Sequence, residues 1–145
     1  YIGGTKCGAL CGEAVVFPRG GMPRHFLTHA KQHGALLAKG RLLGVQFDTL
    51  FTDDLYGEVG RTAAAAAGEL RRILREAGCT FFRESPTNQQ FVVLDNAQAE
   101  ALAERVRFST WEKLGDGRTV IRLVTSWSTI PDDLAALKAA LHEVL

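Results

Sequence analysis

A change of hydrophobic periodicity at Gly78 is the feature that most constrains how this chain can fold. Before it, residues 55–77 carry apolar side chains at helical spacing, after the capping sequence Thr52-Asp53-Asp54. After it come short runs of β-branched and aromatic residues separated by turn residues. Glycine commonly ends helices, because it adopts the left-handed conformation without a steric penalty. Residues 54–145 therefore predict a small domain in which a long helix is followed by strands.

The strands after Gly78 are predicted as a small, mainly antiparallel sheet. The predicted strands are residues 79–83, 89–94, 108–113 and 119–126, and Gly115-Asp116-Gly117 between the last two indicates a hairpin. A helix over residues 97–105 follows the cap residue Asn96, and a last helix begins at Pro131. We expect three or four strands with helices packed on one face.

The first third of the chain has a different pattern. Residues 13–17 predict a strand, and apolar positions then recur at helical spacing over residues 26–51. Gly34, Gly40 and Gly44 fall inside that segment. Each glycine costs roughly 1 kcal/mol relative to alanine in a helix interior. The segment is therefore either a helix packed closely against another backbone or a helix that breaks.

Composition excludes several classes of function. With 145 residues, 46% hydrophobic content and a net charge of +1, the chain can bury one core and has no basic surface typical of nucleic-acid binding. No apolar run approaches the roughly 20 residues of a membrane helix. Three cysteines without paired spacing argue against disulfides and structural zinc, so reduced thiols and a cytoplasmic protein are expected.

Lys6 is the most informative single residue. It lies among small residues in Gly3-Gly4-Thr5-Lys6, directly after a short apolar stretch, which is a poor place for a solvated charge. A lysine amine forms Schiff bases only when it is unprotonated, and a partly desolvated pocket lowers its pKa. The alternative is a buried lysine with a carboxylate partner.

Four segments resemble one enzyme family. Gly3-Gly4-Thr5-Lys6 and the apolar run after it are similar to the cofactor-lysine segment of the threonine aldolase and β-eliminating lyase family, which uses pyridoxal phosphate (PLP). Residues 31–41 resemble its interdomain helix, residues 85–89 its small-domain hairpin, and residues 121–127 its substrate-arginine strand. The four occur in the family's order across nearly the whole chain.

The resemblance implies an α/β fold of the PLP-dependent, aspartate aminotransferase-like class, of which this chain would be the C-terminal part. Residues 1–53 would be a remnant of the PLP-binding large domain with the interdomain helix, and residues 54–145 the small α+β domain. Such a fragment is expected to be inactive alone. The resemblance also implies a homodimer or homotetramer.

The resemblance assigns roles to five residues. Lys6 would form the Schiff base, while the Thr5 hydroxyl and either Lys39 or Arg41 would bind the cofactor phosphate. Arg122 lies between Ile121 and Leu123 on an alternating strand, so it points away from the core, either into solvent or into a cleft. By resemblance, its guanidinium would hold the substrate α-carboxylate.

The implied activity is cleavage of L-threonine and related β-hydroxy-α-amino acids to glycine and an aldehyde. Two alternatives remain. The same lysine and arginine would serve a PLP-dependent β-eliminating lyase, and residues 55–145 could be a non-enzymatic regulatory or dimerisation module.

Three histidines, His25, His29 and His33, have a spacing that would place them on one helix face, as in some metal sites. No HExxH glutamate and no local carboxylate accompanies them. We therefore expect no metal.

Overall fold

The computed structural model describes all of residues 1–145, which form two compact units, Tyr1–Val59 and Gly60–Leu145. The elements in chain order are β1 (Ile2–Gly3), β2 (Glu13–Ala14), α1 (Phe26–Gln32), α2 (Arg41–Phe51), a 3₁₀ turn (Thr52–Asp54), α3 (Leu55–Glu76), β3 (Thr80–Arg83), β4 (Gln89–Asp95), α4 (Asn96–Ala103), β5 (Ser109–Lys113), β6 (Arg118–Val124) and α5 (Pro131–Val144). None of the helices combines the length and apolar character that a membrane span requires.

The first unit opens with a two-residue antiparallel ladder between β1 and β2. Ile2 pairs with Ala14 and Gly3 pairs with Glu13. The strand predicted over residues 13–17 is therefore shorter than expected, because β1 offers only two residues as partners. Between the two strands, residues 4–12 form the turn that carries Lys6.

The predicted helix over residues 26–51 breaks into α1 and α2. Gly34 has a φ of 70°, which glycine adopts without strain. Its N–H donates to the Lys31 carbonyl at 3.1 Å, and the Ala35 N–H donates to the Ala30 carbonyl at 2.8 Å. This pair of hydrogen bonds is the glycine-dependent motif that ends helices. One continuous helix was thus the wrong alternative, and the break is what the glycines produce.

The second unit contains the predicted small sheet. Its four strands are all antiparallel, in the order β3-β4-β6-β5. α3 ends before Gly78, which has a φ of 76°, as its place in the sequence predicted. The register pairs Val92 with Ile121 and Phe91 with Arg122 across the two central strands. Adjacent positions face opposite sides of a sheet, so Arg122 lies on the face opposite to Ile121.

One face of the sheet forms the core with the helices. Val92 and Ile121 are fully buried, and they pack with the apolar faces of α3, α4 and α5. The buried helix residues are Leu70, Ile73, Leu74, Ala99, Leu102, Leu137, Ala140 and Leu141. Because the helices occupy this face, the arrangement confirms the predicted small antiparallel sheet with helices on one side. The opposite face carries Arg122.

Candidate cofactor and substrate site

The turn that carries Lys6 is fixed by backbone hydrogen bonds. Gly4 N–H donates to the Gly12 carbonyl at 3.3 Å and so closes the turn at its base. The Gly4 carbonyl accepts from the N–H groups of Cys7 at 2.9 Å and Ala9 at 3.1 Å. Lys6 lies between these anchored positions, so its backbone is held although its side chain projects outward.

Gly4 lacks a side chain because the turn packs against α2. A Cβ atom at this position would lie 2.9 Å from the Ala9 Cβ and 3.1 Å from the Phe47 ring. Gly4 is itself buried, whereas a Cβ at Gly3 would have nothing within 4 Å. Gly4 therefore allows the turn to close on Phe47.

Lys6 and Thr5 are both exposed at the tip of this turn. These 145 residues therefore do not form the partly desolvated pocket that the sequence led us to expect around Lys6. The physical reason is local, since the turn is only nine residues long and it packs against α2 through Gly4 and Gly12.

Lys39 and Arg41 lie at the beginning of α2. Both are exposed, and the first turn of the helix contains no acidic residue and no side-chain cap. The N-terminus of a helix carries partial positive charge. Two cationic side chains at this end add to that charge, so a bound anion is favoured there. The position thus suits a phosphate group electrostatically. Lys39, Arg41, Thr5 and Lys6 all belong to the first unit.

Arg122 belongs to the second unit and is half-buried on the open face of the sheet. Its Nη1 donates to Gln89 Oε1 and its Nη2 to Ser109 Oγ, each at 3.3 Å. Its guanidinium lies 5.7 Å from the centre of the Trp111 ring, within cation–π range. Its Nε is buried and has no hydrogen-bond partner.

Arg122 has uncharged hydrogen-bond partners and a second cation nearby, because the Arg83 guanidinium lies 5.6 Å from the centre of the same Trp111 ring. Both of its hydrogen-bond partners are uncharged, and none of the ion pairs in the structure includes it. A fully solvated arginine would be exposed, with water at every N–H. The buried Nε excludes that arrangement here, and no carboxylate of this chain forms an ion pair with the guanidinium.

Sequence reasoning missed the residues that hold Arg122, namely Gln89, Ser109 and Trp111. Near the hairpin, Lys113 of β5 pairs with Thr119 of β6. A regular ladder continued from that pair would place Thr110 opposite Arg122. The register shifts by one residue between Thr110 and Glu112, which brings Ser109 opposite Arg122 instead. Gln89 could have been found from the alternation of β4.

The three histidines do not share a helix face. His25 precedes α1 with a φ of 64°, His33 follows it, and only His29 lies within its seven residues. The structure contains no group of three or more histidine, cysteine, aspartate or glutamate side chains placed to hold a metal ion.

Comparison with known proteins identifies the relatives of this chain. A low specificity L-threonine aldolase from Pseudomonas aeruginosa is 30% identical over 130 residues, which cover 88% of this chain and 36% of that protein. The structure of Leishmania major threonine aldolase superposes with a TM-score of 0.79 and 34% identity, over 84% of this chain and 35% of that one. This chain is similar to part of a threonine aldolase. The resemblance inferred from the sequence is therefore confirmed.

Other comparisons place the fold more broadly. Sphingomonas wittichii serine palmitoyltransferase matches with a TM-score of 0.58 at 16% identity, over 71% of this chain and 27% of that one, which supports the fold alone. These matches confirm the predicted PLP-dependent transferase-like fold class. No protein-family model matches the chain. The threonine aldolase-like chain spans about a third of the length of the relatives it matches.

Proposed function

We propose that this chain provides the Schiff-base lysine and the substrate arginine of a PLP-dependent carbon–carbon lyase. The lyase would cleave L-threonine and related β-hydroxy-α-amino acids into glycine and an aldehyde. The similarity to two threonine aldolases supports the reaction class. The observation that carries the substrate class is the arrangement of Arg122.

Arg122 has what a carboxylate-binding residue needs. Its two terminal nitrogens are oriented by neutral partners, Gln89 and Ser109, which do not neutralise the charge. The Nε is buried, so a bound group would meet the guanidinium at these terminal nitrogens. A carboxylate can accept from two guanidinium N–H groups at once, which fixes its plane as well as its position. The α-carboxylate of an amino acid fits this description.

Lys6 would supply the amine. When bound, PLP would act as the electron sink that lets a bond at Cα break. Lys6 would be the residue that holds the cofactor, through its side-chain amine. The exposed position of Lys6 leaves its amine accessible to a cofactor held by other parts of the protein.

Thr5, Lys39 and Arg41 are the proposed phosphate-binding residues. Thr5 offers a hydroxyl beside Lys6. Lys39 and Arg41 add two cations to the N-terminus of α2, where no acidic side chain competes with an anion. The chemistry of this donor set therefore fits a phosphate group, and either of the two cations could serve.

In the proposed reaction one Cα–Cβ bond breaks and two protons move, while the substrate carboxylate is held in place. Arg122 would orient the substrate so that its Cα–Cβ bond is the one that breaks. The hydroxyl proton at Cβ leaves to a base, the bond breaks to release the aldehyde, and Cα takes up a proton to give glycine. For L-threonine the aldehyde is acetaldehyde.

We also propose that the whole protein is a cytoplasmic homodimer or homotetramer. Several apolar side chains of the first unit are about half exposed, including Leu36, Leu37, Leu42 and Val45. Exposed apolar surface of this kind is usually covered by further protein.

The proposal is tested on the protein expressed from its complete gene and incubated with PLP. We expect a long-wavelength absorbance band that disappears in Lys6→Ala, and glycine release from L-threonine that requires Lys6. A Lys6-dependent band without glycine, but with ammonia released from substrates carrying a β leaving group, would indicate a β-eliminating lyase instead. Absence of any band would reject PLP chemistry and favour the non-enzymatic module.

A further inference from the structure

One side chain from α2 holds the far end of the turn that carries Lys6. The Gln46 Oε1 atom accepts hydrogen bonds from the backbone N–H groups of Leu10 at 2.7 Å and Cys11 at 3.4 Å. Both N–H groups lie just before β2 and would otherwise lack a partner from the short β1–β2 ladder. The amide oxygen of Gln46 therefore supplies the hydrogen-bond acceptor that a neighbouring strand would otherwise provide for these two N–H groups.

The other end of the amide fixes its orientation. Gln46 Nε2 donates to the Leu42 carbonyl at 2.7 Å, one turn earlier in α2, and approaches Cys11 Sγ at 3.9 Å. A rotation that exchanged the two ends would direct Nε2 at two backbone N–H donors and Oε1 at a carbonyl, which is repulsive on both sides. The hydrogen-bond network thus permits only one orientation of this half-buried side chain.

The near end of the turn has its own anchor. The Tyr56 hydroxyl donates to the Gly3 carbonyl at 3.2 Å, and its ring stacks on Phe51 with ring centres 5.0 Å apart. The turn between Gly3 and Gly12 is therefore held at both ends by side chains that follow it in the sequence. Because Lys6 is exposed, its placement depends on this backbone and not on packing of its own side chain.

We propose that Gln46 is a positioning residue for Lys6, which acts by tying the turn to α2 so that the lysine amine is presented in one place. The inference rests on the proposed function for its consequence, since a fixed amine matters only if it reacts. The tie itself is a property of the chain with or without cofactor. Its two parts can therefore be tested separately.

The first test measures the tie without cofactor. In the protein expressed from its complete gene, amide hydrogen exchange at Leu10 and Cys11 is compared between wild type and Gln46→Met, which keeps the volume and helix propensity but loses the acceptor. We expect about tenfold faster exchange at both amides, the change that one or two hydrogen bonds produce. Gln46→Glu keeps the acceptor but loses the donor to the Leu42 carbonyl, so protection should be restored only in part.

The matched control is Thr49→Val. Thr49 lies on the same helix, and its hydroxyl bonds only to the Val45 carbonyl of α2 at 2.9 Å. Exchange at Leu10 and Cys11 should be unchanged in this variant. Unchanged exchange in Gln46→Met as well would overturn the tie.

The second test measures the consequence for Lys6. Gln46→Met should retain PLP about tenfold less well than wild type and give a smaller Lys6-dependent absorbance band, while Gln46→Glu recovers both in part. Equal PLP retention and an equal band in wild type and Gln46→Met would overturn the positioning role, even if exchange had changed. If wild type itself gives no band, the proposed function fails and the role toward Lys6 fails with it, whereas the exchange comparison still decides the tie.

Discussion

At the scale of single residues, the properties of the candidate site depend on what surrounds each side chain and not on the residue type alone. Arg122 is one of several arginines in the chain. It differs from a surface arginine in three features: uncharged hydrogen-bond partners, contact with an aromatic ring, and a buried Nε without a partner. Lysine in its place would keep the charge but lose the planar fork that meets two carboxylate oxygens.

Arg122→Lys is therefore expected to weaken substrate binding and leave the cofactor in place. Loss of one charge-assisted hydrogen bond corresponds to roughly 1.5–3 kcal/mol, so KM for L-threonine should rise about 10- to 100-fold. Steady-state kinetics measures this rise, and the PLP absorbance band should be unchanged. Arg118→Lys is the control, because Arg118 lies on the same strand but pairs with Asp116 on the surface. An unchanged KM in Arg122→Lys would remove the carboxylate role.

A second residue-scale prediction concerns the glycines of the Lys6 turn. Gly4→Ala would place a Cβ 2.9 Å from the Ala9 Cβ and 3.1 Å from the Phe47 ring, which forces the turn to move. Overpacking of this kind costs about 1–3 kcal/mol of unfolding free energy. Gly3→Ala meets nothing within 4 Å and should be nearly neutral. Urea unfolding of the two variants compares them directly, and equal stabilities would show that the turn is not packed as described.

At the scale of helices and strands, the sequence predicted the second unit well and the first unit poorly. Helix α3, its end at Gly78, four strands and the last helix follow from local signals that agree with one another. The break at Gly34 could be stated only as an alternative, because the same glycine pattern suits a closely packed helix. The bulge near Trp111 was not predicted, because no glycine or other local signal marks it in residues 109–113.

The same limit explains the site. The sequence proposed Lys6 and Arg122 as candidates through their local motifs, the family resemblance and the alternation of β6, and their roles stay predictions. It could not identify Gln46, which meets Leu10 from 36 residues away and lies in a helix with no motif. The exposure of Lys6 was also not foreseen, because burial is a property of the surrounding surfaces and not of four consecutive residues.

The glycine that ends α3 gives an element-scale prediction. Gly78 has a φ of 76°, and its N–H and that of Cys79 bond to the carbonyls of Arg75 and Leu74 at 3.0 Å each. Gly78→Ala should therefore lower the unfolding free energy by about 1 kcal/mol. Gly68→Ala, inside the same helix and meeting only the end of Arg71 at 3.9 Å, should raise it by about 0.5–1 kcal/mol. Thermal unfolding curves measure both changes in unfolding free energy. If the two variants changed it in the same direction, the helix end described here would be contradicted.

At the scale of the whole molecule, the two compact units differ in how much of a core each contains. The buried cluster built from α3, α4, α5 and the sheet lies entirely within Gly60–Leu145. Within that unit, the Thr125 hydroxyl also donates to the Ala63 carbonyl at 2.8 Å. The first unit contains the proposed cofactor residues but buries few side chains.

Residues 60–145 expressed alone should therefore fold and unfold cooperatively, yet show no PLP absorbance band, because Lys6 is absent. Circular dichroism during urea titration should give a single transition. Leu102 is fully buried in the core, so Leu102→Ala should lower the unfolding free energy by about 2–5 kcal/mol. Leu145→Ala, at an exposed terminal position, is the control and should change it little. A gradual, non-cooperative melt of the wild-type segment would mean that the core needs more of the protein than this unit, and a PLP band in the segment would mean that a lysine other than Lys6 reacts.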